Sequence, residues 1–242
     1  MSFEELMALI TTKNGCPIAV PMLIFSEAEM RTHVGDLDRK LSLEDLALSY
    51  FQSLGFHGNR TRMNLYGYLG DFRDLVDSPP PWIEAQGPGT FYNHVTGKTQ
   101  NGWNPFWESC FSYTFEELNE MRLTVKRAYK AIREEQDIEI PGDVQHSLDL
   151  FEEFNFKRLY DLAHAFGEEK LLQVAEFLAD WFGDHYQALP GTPDLLIWRL
   201  KPKMWFFAEI KGPRDSLRNS QINWITEFKD KISDNVFILK VI

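Results

Sequence analysis

The stretch that decides the fold runs from Gly191 to Leu217 and reads GTPDLLIWRLKPKMWFFAEIKGPRDSL. A Pro193–Asp194 pair precedes an apolar run. Lys201-Pro202-Lys203 interrupts it, and Glu209-Ile210-Lys211 then lies inside a second apolar run. Two apolar segments on either side of a short proline-centred turn predict a β-hairpin, with strands over 194–200 and 204–211. If the strands pair antiparallel about that turn, partner numbers sum to about 404 and Asp194 faces the Glu209–Lys211 end. Glu209 and Lys211 are two apart, so their side chains share one face. Three ionisable groups thus gather at one end of an apolar hairpin, where an isolated buried charge is costly.

Two explanations compete. One is a buried ion pair that merely closes the hairpin. The other is a metal-dependent phosphodiesterase. Asp194, Glu209 and the Ile210 carbonyl are oxygen donors suited to a hard cation, Mg²⁺ or Mn²⁺. Such an ion activates water and stabilises charge on phosphate, and the Lys211 ammonium can hold that water or the pentacovalent phosphate. Gly212-Pro213 turns the chain. A helix capped by Asp215 or Ser216 and running to about Lys231 then sets Leu217, Gln221, Trp224, Ile225 and Phe228 on one stripe. That stripe is expected to pack on the hairpin and bring Gln221 to the carboxylates.

The string GTPDLLIW followed by AEIKGPRDSLRNSQINW resembles the VRR-NUC branch of the PD-(D/E)XK nucleases in many fixed positions at fixed spacing. Upstream, FNFKRLYDLAHAFGEEKLLQVAEFLADWFGDHYQALPGTPD, and SLEDLALSYFQSLGFHG followed by LYGYL, resemble the nuclease region of the Fanconi-associated nucleases. The likeness covers roughly residues 40–242. The resemblance implies an α/β chain with an N-terminal helical part and a PD-(D/E)XK (restriction-endonuclease-like) β-β-α-β core. It implies Asp194 and Glu209 as metal ligands, the Ile210 carbonyl as a third, and Lys211 as the catalytic lysine. Gln221 is expected to assist. The implied substrate is branched, flapped or junction DNA in DNA repair. One departure stands out. The family places another acid in a glycine-flanked stretch after the first helix, and here that stretch reads GFHGNRTRMN, with Arg60 and Arg62 and no carboxylate. Glu44 or Asp71 would have to substitute. The alternative function is an impaired DNA- or protein-binding module that keeps the nuclease fold.

The rest of the chain is read around this core. The divisions expected are an arm at 1–41, the nuclease-like region at 42–242, and the VRR-NUC catalytic core at 187–242. SLEDLALSYFQSLGF (42–56) predicts an amphipathic helix capped by Ser42. Further helices are expected over 63–76, 114–136, 151–167 and 168–186, and a last strand in NVFILKVI. Residues 82–105 read as short strands and turns. They resemble a WW module in Trp82, Phe91-Tyr92-Asn93-His94, Thr96, Thr99, Trp103 and Pro105. That likeness implies a proline-rich protein partner bound in an aromatic groove.

Net charge is −11, yet nine basic residues against six acidic ones follow Pro190. The phosphate contacts expected are Arg60, Arg62, Arg199, Lys201, Lys203, Arg214 and Arg218. No stretch has the roughly 18 apolar residues of a membrane span. CPIAVPMLIF lacks the length and charged leader of a signal peptide. Cys16 and Cys110 make neither a disulfide framework nor a zinc site. The location expected is intracellular, and nuclear in a eukaryote.

Overall fold

A computed structural model describes residues 5–11, 17–61, 79–104, 106–136, 156–184 and 190–242, with single positions at 140, 142, 145 and 149. The helix expected at 63–76, Arg62 and Asp71 lie outside the described residues. The chain forms two compact units, Met1–Tyr66 with Leu172–Ile242, and Gly67–Leu171.

The first unit contains β1 (Glu5–Thr11), β2 (Pro17–Phe25), α1 (Glu27–Val34), α2 (Leu43–Ser53) and β3 (His57–Arg60). After the second unit it resumes with most of α6 (Glu168–Asp184), then β7 (Leu195–Leu200), β8 (Lys203–Lys211), α7 (Asn219–Lys231) and β9 (Val236–Val241). The strands make one six-stranded sheet in the order β1-β2-β9-β8-β7-β3. β7 and β8 are antiparallel, β8 and β9 parallel, and α7 makes the crossover between them. This is the β-β-α-β order expected from the sequence.

Both sheet faces are covered, which is why β8 is apolar on both sides. Phe206, Ala208 and Ile210 face the cluster built by Leu46, Ala47, Tyr50 and Phe51 of α2. Trp205 and Phe207 alternate to the other face, against Trp224 and Phe228 of α7. Phe177 of α6 closes on the same two α7 rings at 5.6 and 5.3 Å. The helix capped by Ser42 forms as expected, with Ser42 Oγ accepting from the Asp45 N–H.

Residues 1–41, expected as an arm, instead supply two strands and a helix of this unit. β2 lies inside the sheet, with β1 antiparallel on one side and β9 parallel on the other. CPIAVPMLIF is therefore largely strand. Its prolines fit because β9 pairs only with Met22–Phe25, beyond Pro17 and Pro21.

The second unit holds β4 (Ile83–Gly87), β5 (Thr90–Asn93) and β6 (Lys98–Asn101), a three-stranded antiparallel sheet at the place where short strands were expected. It also holds α3 (Phe106–Ser112), α4 (Phe115–Gln136) and α5 (Phe156–Phe166). Trp82 and Ile83 are buried, and Phe91 and Trp103 meet edge to face at 6.1 Å. On the other side of β5, Tyr92 packs on His94, and His94 on Tyr129 of α4. Tyr129 Oη donates to Glu84 Oε2 at 2.9 Å, and His94 Nε2 lies 2.7 Å from the same oxygen. The Tyr92–His94 face is thus closed by α4 rather than open to a proline-rich segment. Cys110 is fully buried, and burial pushes its thiol pKa up, as a small apolar filler requires.

Candidate active site

The hairpin register pairs Leu195 with Ala208, so partner numbers sum to 403 rather than 404. Continued by one residue, that register sets Asp194 opposite Glu209. Because directly opposite residues share a face, Asp194 joins Glu209 and Lys211 on the α7 side. The Ile210 N–H donates to Asp194 Oδ2 at 2.9 Å, which fixes the aspartate against the second strand.

Glu209 is 1% exposed and Lys211 8%. Lys211 Nζ stands 2.7 Å from Glu209 Oε1 and donates to Gln221 Oε1 at 3.1 Å. Gln221 Nε2 in turn donates to Glu209 Oε1. Carboxylate, ammonium and amide thus form a closed triangle on the sheet face under α7. Gln221 Oε1 also accepts the Arg218 N–H at 2.8 Å. One amide therefore serves both the cluster and the start of its own helix.

That bond explains why α7 begins later than expected. Arg218, not Asp215 or Ser216, is the N-cap residue, because Gln221 three positions on satisfies the Arg218 N–H. Asp215 turns back and accepts the Gly212 N–H at 2.8 Å, closing the turn after Lys211. Leu217 therefore precedes the helix, while Gln221, Trp224, Ile225 and Phe228 form its buried stripe.

Three positioning residues escaped the sequence reading. Gly191 has φ +87° and packs against the first turn of α7. Buried Thr61 donates its N–H to the Asp194 carbonyl at 2.8 Å and its hydroxyl to the Pro193 carbonyl, so the residue that follows β3 grips both residues of the Pro-Asp pair. Lys240 pairs with Lys211 across β8 and β9 and donates to the Gly212 and Asp215 carbonyls at 2.5 and 3.3 Å. A lone lysine in the apolar strand NVFILKVI was the available signal for it.

β3 lies within GFHGNRTRMN, the stretch where the resemblance leads one to expect an acid. Arg60 pairs with Leu195, and its guanidinium reaches the start of α2: 2.7 Å to Ser42 Oγ, 2.7 Å to Asp45 and 3.9 Å to Glu44. Glu44, considered above as a substitute ligand, is thus part of a surface network around Arg60. Among the described residues no group of three or more His, Cys, Asp and Glu could hold a metal ion.

The expected basic surface divides. Arg214 and Arg218 are exposed on the segment between Lys211 and α7. Lys201 and Lys203 are exposed at the opposite end of the hairpin, about 20 Å from Asp194 at ~3.3 Å per residue. Arg199 is half-buried and stacks on Phe56 at 4.3 Å. Among the described residues no helix is long and apolar enough to cross a membrane.

Residues 130–241 match the model of the VRR-NUC domain, a match that starts well upstream of residue 187. The Fanconi-associated nuclease 1 homolog of Schizosaccharomyces pombe is 25% identical over 223 residues, covering 85% of this chain and 29% of that protein. Fanconi-associated nuclease 1 of Homo sapiens is 25% identical over 206 residues, covering 83% of this chain and 19% of that protein. The chain spans less than a third of the length of either relative. A crystal structure of paFAN1 bound to a two-nucleotide 5′-flap DNA with a gap aligns over 85% of this chain and 35% of that chain, at 14% identity and a TM-score of 0.44. Residues 130–241 are thus similar to the VRR-NUC domain, in a chain that resembles the Fanconi-associated nucleases.

Proposed function

We propose that this chain is a metal-dependent nuclease that hydrolyses phosphodiester bonds in branched or flapped DNA during DNA repair. The observation that carries the reading is the buried Glu209–Lys211–Gln221 triangle on the sheet face shared with Asp194. A structural ion pair needs no second carboxylate beside it and no amide tying it to a helix start.

The donor set fits Mg²⁺ or Mn²⁺. Asp194, Glu209 and the Ile210 carbonyl offer hard oxygen ligands, and Mg²⁺ is commonly held by one or two carboxylates with water completing its shell. When bound, such an ion supplies Lewis acidity and an activated water. The chain's own groups do the rest. Gln221 holds Glu209 and Lys211 in one arrangement before substrate arrives. Lys211 carries the positive charge that stabilises a pentacovalent phosphate or orients the attacking water. Arg214 and Arg218, exposed on the adjoining segment, hold the flanking backbone.

Arg60 supports a second reading, an impaired module that binds DNA or protein without cutting. It stands in the stretch where the family has an acid, and is tied to Asp45. A cleavage assay on flap, junction and single-stranded DNA with Mg²⁺ or Mn²⁺ separates the two. Products from wild type, absent with Asp194→Asn, support the nuclease. Metal-independent binding without products in any substrate class supports the module.

A further inference from the structure

The helix α4 of the second unit carries a charge pattern that its own stability does not require. From Met121 to Arg133 it has five basic side chains, Arg122, Lys126, Arg127, Lys130 and Arg133, and no acidic one. Its acids stand at the two ends, Glu116, Glu117 and Glu120 before the run and Glu134 and Glu135 after it. A solvated helix gains support from opposite charges alternating three or four residues apart. Here Arg127 reaches back to Glu120 at 2.6 Å and Lys130 forward to Glu134 at 3.8 Å, all four side chains about two-thirds exposed or more. Such exposed pairs contribute little.

Lys126, Lys130 and Arg133 are four and three residues apart, so they form one stripe, and all three are exposed. Leu118, Val125 and Tyr129 are buried, so an adjacent face anchors the helix and leaves the stripe outward. The run from Arg122 to Arg133 rises about 16 Å at ~1.5 Å per residue. One strand of B-DNA carries a phosphate about every 3.4 Å, roughly five over that length. In a chain of net charge −11, five cations within twelve residues fit a polyanion.

We propose that the Lys126–Lys130–Arg133 stripe docks the phosphodiester backbone of duplex DNA, as a contact carried by the second unit. The inference rests on the reading of the chain as a DNA-acting protein.

The test uses the full chain inactivated by Asp194→Asn and a fluorescent flap duplex, with affinity measured against salt. The triple variant Lys126→Gln, Lys130→Gln, Arg133→Gln keeps good helix formers and removes three charges. It is expected to bind at least tenfold more weakly at low salt, with the log–log slope reduced by about 2 to 3. Lys126→Arg with Lys130→Arg is expected to bind like the parent. If the triple variant loses helix signal, Lys126→Gln and Lys130→Gln are read singly, each expected to reduce the slope by about 0.7 to 0.9. A parent that binds DNA and variants with unchanged affinity and slope overturn the stripe while leaving the nuclease reading intact. A parent that does not bind DNA overturns both. Stripe-dependent binding to anionic vesicles, with DNA binding unaffected by the substitutions, overturns DNA as its occupant.

Discussion

Gly191 lies so close to Ser220 that a Cβ built on it would stand 1.9 Å from the Ser220 carbonyl oxygen. The loop carrying the Pro193–Asp194 pair and the first turn of α7 are therefore in backbone contact. Gln221, the next residue, is held at the carboxylates by the same approach.

Gly191→Ala is expected to be among the most damaging single substitutions outside the charged cluster. Its φ of +87° alone costs a side-chain-bearing residue about 1–3 kcal/mol, and the contact with Ser220 adds to that. The variant should unfold at clearly lower temperature and lose turnover even where folded. A melting temperature equal to wild type would show that the loop can move away without loss.

The Glu209–Lys211 pair should behave as one unit. Removing either partner leaves the other charge buried, so Glu209→Gln or Lys211→Met should each cost about 3–5 kcal/mol. The double variant should be more stable than the sum of the singles implies, while remaining inactive. Strict additivity in denaturant unfolding would show that the two charges are solvated independently. Asp194→Ala, at a half-buried position, should abolish cleavage and divalent-ion binding by calorimetry with a much smaller stability loss.

Gln221→Ala removes bonds to Lys211, Glu209 and the Arg218 N–H together. Each buried polar group left unsatisfied costs about 1–3 kcal/mol, so both stability and turnover should fall. Turnover per folded molecule decides the role. If it matches wild type, Gln221 acts only as a brace for the helix.

DNA affinity should distinguish the two ends of the hairpin. Arg214→Ala and Arg218→Ala should weaken binding and lower the salt slope by about 0.7–0.9 each. Lys201→Ala and Lys203→Ala, at the far turn, should change neither when measured by fluorescence anisotropy on inactive protein. The reverse pattern would place DNA at the wrong end for cleavage.

The start of α4 should be sensitive to acid. Bonds from the Thr114 N–H and hydroxyl, at 2.8 and 2.9 Å, hold the Glu117 carboxyl below the usual glutamate value of 4.5. A lowered folded value means that this stabilisation is present above about pH 4.5 and is lost as pH falls through the folded value. The Thr114 amide shift, followed by NMR, should titrate with a midpoint under 4.5, and Glu117→Gln should abolish that titration. A midpoint at or above 4.5 would mean that the Thr114 bonds do not form in solution.

The hairpin was legible because a charge inside an apolar run is costly, so Asp194, Glu209 and Lys211 announce themselves by residue type alone. The one-residue difference in register stayed hidden because turn geometry, not composition, sets it. The start of α7 was misplaced for a related reason. Asp215 and Ser216 look like caps, but Gln221 reaches back three residues and supplies the bond from inside the helix. β2 was missed because Pro17 and Pro21 argue against an interior strand, and only the pairing limits show how they are accommodated. Arg60 could be seen to replace an acid. That it reaches Asp45 and Ser42 depends on α2 and β3 being neighbours, which no local pattern encodes.

The order β1-β2-β9-β8-β7-β3 has a consequence for how the molecule comes into being. Its last strand, β9, lies between the first hairpin and the strand that carries Glu209 and Lys211. Until Val236–Val241 has been synthesised, no strand lies between β1–β2 and the β3–β7–β8 set, and each keeps an open edge where β9 will pair. Such contacts between distant parts of a chain form slowly and leave unpaired edges exposed meanwhile. A chain ending shortly before Val236 would therefore have both carboxylates and the lysine but no strand joining the two parts of the sheet.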